Sequence, residues 1–126
     1  MKDFIDNLAN GEFKIAFCNS CSKKVWPPSY FCSNCFAKTE LKKFETVGTL
    51  LEFTTSHVNN SRGTFGIVDL AGIRIVGAIC GELLYEGIEV RMTSCGINSD
   101  GSVYYDFEPS SNRESEREKM RAKRLH

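Results

Sequence analysis

The chain has 126 residues, 41% of them apolar and 25% charged, and its 16 basic and 16 acidic side chains cancel to a formal charge of zero. Those proportions are ordinary for a globular protein and leave room for one domain or two small ones. No apolar run approaches the 18 or more residues of a membrane span, and Lys2, Asp3 and Asp6 break any secretory leader near the start, so a soluble protein in a reducing, cytoplasmic compartment is expected.

In chain order, Phe4, Ile5 and Leu8 recur at helical spacing and Asn10-Gly11 ends the pattern, which predicts a short amphipathic helix over Asp3–Leu8 within a first segment, 1–13. The next segment, 14–45, carries Cys18-x-x-Cys21 and Cys32-x-x-Cys35. Two such pairs each present two sulfurs from one tight turn and can close a tetrahedral thiolate shell around a single Zn²⁺. Two disulfides or four free thiols are the alternatives; disulfide frameworks belong to short secreted chains. A full thiolate shell leaves no open position for water or substrate, so this zinc is expected to be structural and non-catalytic. It is also expected to be a condition of folding, because the segment is too short to bury a sufficient core unaided.

Between the cysteine pairs, Val25-Trp26-Pro27-Pro28 and Tyr30-Phe31 read as an arch over the metal, since the prolines bar a regular central strand. An aromatic patch of Trp26, Phe31 and Phe36 there could anchor a protein partner, or it could cover the zinc site and its seam with the rest of the chain.

From residue 46 to 109 the pattern is β. Thr46–Val58, Thr64–Leu70, Ile73–Cys80, Ile88–Cys95 and Val103–Phe107 read as five strands, with turns at Ala71-Gly72 and around Asn98–Gly101. Only Glu82–Tyr85 could be helical between the third and fourth strands. That count and order suit a small closed barrel of the OB type, a barrel of another topology remaining open, and glycines at 48, 66, 72, 77 and 81 fit a strongly coiled sheet. Cys80 and Cys95 have no Cys-x-x-Cys partner and are expected to be buried core thiols. The last segment, 110–126, is a charged tail in which Ser111 and Glu114 have capping-box spacing, so a solvated helix is expected there.

Charge separates two functional classes. In the barrel segment Arg62, Arg74 and Arg91 stand against eight acidic residues, a balance of −5 that repels a phosphate backbone. The zinc segment has six lysines against Glu40 and Glu45, offset by about −2 from a Zn²⁺ with four thiolates. The tail contributes a further +3. Nucleic-acid binding through ribbon and tail is therefore the alternative reading, and the barrel argues against it. His57 is the only internal histidine, so no Ser-His-Asp grouping is available and the chain is not expected to be an enzyme. His57 does adjoin a polar run, Asn59 to Gly63. It reads either as a plain strand connection or, with Trp26, Pro27, Pro28 and Phe31, as a wall for a pantetheine arm whose CoA phosphate meets Arg62.

The order of parts, helix, ribbon with a Trp-Pro-Pro arch and acidic barrel, resembles the zinc-ribbon/OB-fold family of unknown-function domains that accompany thiolases and other acyl-CoA enzymes. The likeness runs from about Phe4 to Pro109. It rests on Cys18-Asn-Ser-Cys21, Val25-Trp26-Pro27-Pro28, Cys32-Ser-Asn-Cys35, the strands Gly48–Thr55 and Gly66–Leu70, and Tyr85-Glu-Gly87-Ile-Glu-Val90. The chain departs from the usual pattern in Trp26, where Phe is common, in a Ser after Cys21, where Gly is frequent, and in its basic tail. The resemblance implies a mainly β protein: a short N-terminal helix, a rubredoxin-like zinc ribbon, a five-stranded OB barrel and a charged helical tail. It also implies a non-catalytic subunit that binds a CoA thioester, bridges acetoacetyl-CoA thiolase and hydroxymethylglutaryl-CoA synthase at the entry to the mevalonate pathway, and helps to channel the acyl-CoA intermediate. Relatives of this kind also partner hydratases or aldolases acting on steroid or fatty acyl-CoA.

Overall fold

Phe4 and Leu8, one helical turn apart, are the two buried side chains of helix α1, Lys2–Ala9, in a computed structural model that describes residues 1–58 and 61–110. An eight-residue helix does not hold in water by itself, so its stability comes from burying that face. The Trp26 ring meets Phe4 edge-on with centroids 5.6 Å apart, a geometry worth about 0.5–1.5 kcal/mol beyond area burial. At the other end Gly11, at φ +77°, turns the chain out of the helix while its amide donates to the Leu8 carbonyl at 2.8 Å.

Strands β1 (Lys14–Cys18), β2 (Lys24–Val25) and β3 (Thr39–Lys43) form an antiparallel sheet in the order β2-β1-β3. Ile15 and Ala16 of the central strand are fully buried. Phe13 stacks edge-on with both Trp26 and Phe44, and Phe17 lies against Phe44. The prolines do end β2 after Val25, and the Trp26–Pro27 bond is cis. Trp26 itself, however, is half-buried against Phe4 and Phe13.

Strands β4 (Val47–Val58), β5 (Ser61–Leu70), β6 (Ile73–Ile79), β7 (Glu89–Ile97) and β8 (Val103–Pro109) close into a barrel in the order β4-β5-β6-β8-β7, with β7 pairing back onto β4. The pair β6·β8 is parallel, through Ala78↔Asp106 and Ile79↔Phe107. This order, with one parallel seam, is the five-stranded OB arrangement and excludes a simple meander. Leu50, Val68, Leu70, Val90 and Phe107 fill the interior completely out of solvent contact. Ala71 and Gly72, both at positive φ, make the two-residue turn between β5 and β6, and Gly72 N–H donates to Asp69 Oδ1 at 2.7 Å.

Two compact units divide the chain: Met1–Glu45 with Ser94–Tyr104, and Thr46–Thr93 with the chain from Tyr105 onward. Two expectations change. Glu82–Tyr85 is not helical, because the five residues between Gly81 and Gly87 are too few to repay helix nucleation. Cys80 is exposed, whereas Cys95 is buried. Along β6 the odd residues Ile73, Ile75 and Ile79 point inward, so position 80 falls on the outward phase. The expected helix of the tail, from residue 111 on, lies outside the described residues.

Glycine is required where neighbouring strands press closest. A Cβ on Gly48 would sit 2.1 Å from the Asp69 carbonyl oxygen of β5, and one on Gly77 would sit 2.5 Å from the Tyr105 carbonyl oxygen of β8. Both obstacles are backbone, which has no rotamer to yield. Gly48→Ala is therefore expected to destabilise the barrel by about 1–3 kcal/mol, read as a lower urea midpoint at unchanged slope.

Candidate metal centre

Each cysteine pair is set by the same backbone turn. In the first, Ser22 N–H donates to the Cys18 carbonyl at 3.1 Å and Cys18 N–H to the Lys23 carbonyl at 2.9 Å, with Ser22 at φ +61°. In the second, Phe36 N–H donates to the Cys32 carbonyl at 2.7 Å and Cys32 N–H to the Ala37 carbonyl at 2.9 Å, with Phe36 at φ +62°. The residue after each second cysteine is thus left-handed, a conformation that costs glycine least. A bulky Phe36 in that region is an uncommon conformation.

The two turns bring all four sulfurs within 4.8 Å of one another. Cys18 Sγ and Cys35 Sγ are 3.3 Å apart, Cys21 Sγ and Cys32 Sγ 3.8 Å, and Cys35 Sγ and Cys21 Sγ 3.9 Å. A tetrahedral Zn–S₄ shell with bonds of about 2.3 Å places its sulfurs about 3.8 Å apart, so the donor set fits a thiophilic tetrahedral ion. Among the described residues this is the one such cluster of His, Cys, Asp and Glu.

Backbone amides prepare the thiolates. The Cys21 N–H donates to Cys18 Sγ, as does the Ser20 N–H, both at 3.3 Å. The Cys21 amide foremost, with the Cys35 thiol and Ser20 assisting against burial, lowers Cys18 to about 6. Cys32 is lowered likewise, by the Cys35 and Asn34 amides. For Cys35 the Ala37 amide works downward, but Cys18, burial, Cys21 and Cys32 together prevail and push it up to about 11. The backbone amides thus favour the anion of Cys18 and shift Cys32 in the same direction, whereas Cys35 holds its proton until a metal ion displaces it.

The remaining candidates are distributed. Phe31 and Phe36 are exposed, at 55% and 78%, while Tyr30 beside them accepts a hydrogen bond from the Lys2 amide at 3.3 Å. Pro27 is exposed and Pro28 half-buried. His57 and Arg62 are register partners on β4 and β5, so both lie in paired strands and not in the connection between them. A barrel groove that the sequence reading did not find, about 850 Å³ in volume, is lined by Phe53, Phe65, Cys80, Leu84, Asp106 and Glu108 among others. Phe53 pairs with Gly66 and Thr54 with Phe65, setting aromatics on adjacent strands, a neighbourhood that no sequence motif marks.

No protein-family model matches the chain, and no curated protein sequence does either. Solved structures do match in fold. One is an aldolase described as Ltp2-ChsH2(DUF35), with a TM-score of 0.71 over 86% of this chain and 92% of that one at 16% identity. Another is a DUF35-family protein of unknown function from Sulfolobus solfataricus, with a TM-score of 0.59, 86% and 84% coverage and 12% identity. The chain thus has the fold of DUF35 structures.

Two outcomes test the centre. Cys32→Ser is expected to collapse the dispersed amide NMR signals of residues 14–45, as is a strong chelator acting on the unaltered protein. Because metal displaces protons from thiols, zinc affinity is expected to fall as the pH is lowered towards about 6, where Cys18 also begins to hold its proton, and metal loading in weak buffer should release acid.

Proposed function

We propose that this protein is a non-catalytic accessory subunit of an acyl-CoA enzyme, with one structural Zn²⁺ held by Cys18, Cys21, Cys32 and Cys35. The observation that carries the reading is the fold it shares, over 86% of its length, with the DUF35 part of an aldolase assembly. The thiolate cluster supports it, because four sulfur ligands leave a tetrahedral ion no position for substrate. In its finer form the proposal is a bridge between acetoacetyl-CoA thiolase and hydroxymethylglutaryl-CoA synthase that helps to pass the acyl-CoA intermediate.

Two surfaces fit such a role. Phe31 and Phe36 expose large apolar area on the ribbon, and aromatic anchors of this kind dominate protein interfaces. Arg62, paired in register with His57, supplies the cation for a CoA phosphate. The acidic barrel makes nucleic acid the weaker partner.

A tagged pull-down from native cells after nuclease treatment is expected to recover a stoichiometric thiolase or other acyl-CoA enzyme. Phe36→Ala should lower that recovery by about tenfold at unchanged zinc content. In the recovered complex, CoA should shift the amide signals of residues 57–65. Recovery of nuclease-sensitive ribosomal or replication proteins in its place would overturn the proposal.

A further inference from the structure

Strand β5 outruns its neighbour β6. Its residues Phe65–Leu70 pair with β6, from Phe65↔Ala78 to Leu70↔Ile73, whereas among the described residues Ser61–Thr64 pair with β4 alone. The two strands part because of the parallel seam: past Ala78 the chain turns its bonding to β8, through Ile79↔Phe107 and through Cys80 N–H, which donates to the Phe107 carbonyl at 2.8 Å. Successive residues of a strand aim their N–H and C=O to alternate sides. Of the adjacent Gly63 and Thr64, one therefore turns its backbone pair to β4 and the other to the side that β6 has left.

That edge borders the barrel groove. Gly63 and Thr64 line it together with the departing residues Cys80 and Glu82, and Phe53, Phe65 and Leu84 give it apolar surface. Every charged residue of the lining is acidic: Glu82, Asp106 and Glu108, the last engaged by Arg91 Nε at 3.0 Å. An unpaired strand edge is a template for one more strand. In such an addition main-chain hydrogen bonds hold the incoming segment, while its alternate side chains meet the surfaces on either face. Here those surfaces are apolar and acidic, so the complementary side chains are apolar and basic. Four residues of strand span about 13 Å, and a groove of about 850 Å³ admits a segment of that length.

We propose that the groove takes a short extended segment of a partner protein, one that alternates Lys or Arg with apolar residues and adds as a strand to the free edge of β5 at Gly63–Thr64. The backbone edge supplies the main-chain bonds, and the carboxylates fix the sign of the partner's charge. This stands apart from the acyl-CoA reading: failure to recover an acyl-CoA enzyme would leave it intact, and a peptide that does not bind would leave that reading intact.

The probe is the peptide acetyl-Lys-Val-Lys-Val-Lys-Val-amide, added to the zinc-loaded full chain. It is expected to shift the amide NMR signals of residues 63–65 and 78–82, and to protect Cys80, an exposed free thiol of the lining, from iodoacetamide as read by mass spectrometry at that residue. A peptide with glutamate in place of lysine should do neither. Glu82→Lys, on the exposed segment after β6, and separately Asp106→Asn should each weaken binding about threefold at low salt. N-methylation separates strand addition from plain charge attraction. Methylating the lysine amides blocks one edge of the peptide and methylating the valine amides blocks the other, so one methylated peptide should bind as the parent does and the other should fail. Equal binding of the two methylated peptides, binding of the glutamate peptide as tight as the parent's, or no shift at millimolar parent peptide would overturn the proposal. Protection of Cys80 that grows with protein concentration in the absence of peptide would also overturn it, by placing a second copy of this chain in the groove.

Discussion

Convergence of four cysteines from two turns is the constraint on which the ribbon depends. The sheet β2-β1-β3 has short strands, and the buried apolar side chains around it, besides Cys18 and Cys32, are Phe4, Leu8, Phe13, Ile15 and Ala16. So small a core leaves little margin over chain entropy. A metal shell closes the loop between Cys21 and Cys32 and turns each knuckle into a fixed corner. The amides that point at Cys18 stabilise the anion the metal needs, so the same hydrogen bonds that shape the turn also set its chemistry.

The barrel is governed by a different constraint, the closeness of its backbones. Gly48 and Gly77 stand where a neighbouring strand's carbonyl leaves no room for a side chain, and the ring they permit encloses Leu50, Val68 and Phe107. Close curvature inside leaves concavity outside, and the groove over Phe53 and Phe65 is the result. Function in this molecule is thus divided by chemistry. A tetrahedral ion held by the four sulfurs would be coordinatively saturated and suited to holding structure, whereas the exposed surfaces carry aromatic and acidic side chains.

Most of the fold was legible because its signals are local. The Cys-x-x-Cys pairs gave the metal cluster by spacing alone, and the five strands by their β-branched and aromatic runs. Strand ends were harder: β5 begins at Ser61, in a polar stretch that resembles a loop, because cross-strand pairing with β4 carries it beyond its apolar residues. Cys80 was misread because small apolar neighbours suggested burial while the alternation of Ile73, Ile75 and Ile79 already assigned it outward. For Trp26 the sequence leaves open a partner anchor or a cover for the metal site; its packing on Phe4 and Phe13 depends on contacts across the chain that no window on the sequence contains. The groove left no trace for the same reason, since its lining comes from residues 53 to 108.

The parallel seam between β6 and β8 has a consequence for the order of events during synthesis. All four sulfur ligands are in place once Cys35 has been made, but the strand that closes the barrel starts only at Val103. At roughly 5–20 residues per second the ribosome needs on the order of 3–14 s to cross that interval. A metal ion would therefore meet its ligands while the barrel is still an open sheet with unpaired edges, and a chain that lacked the ion would expose both incomplete halves at once.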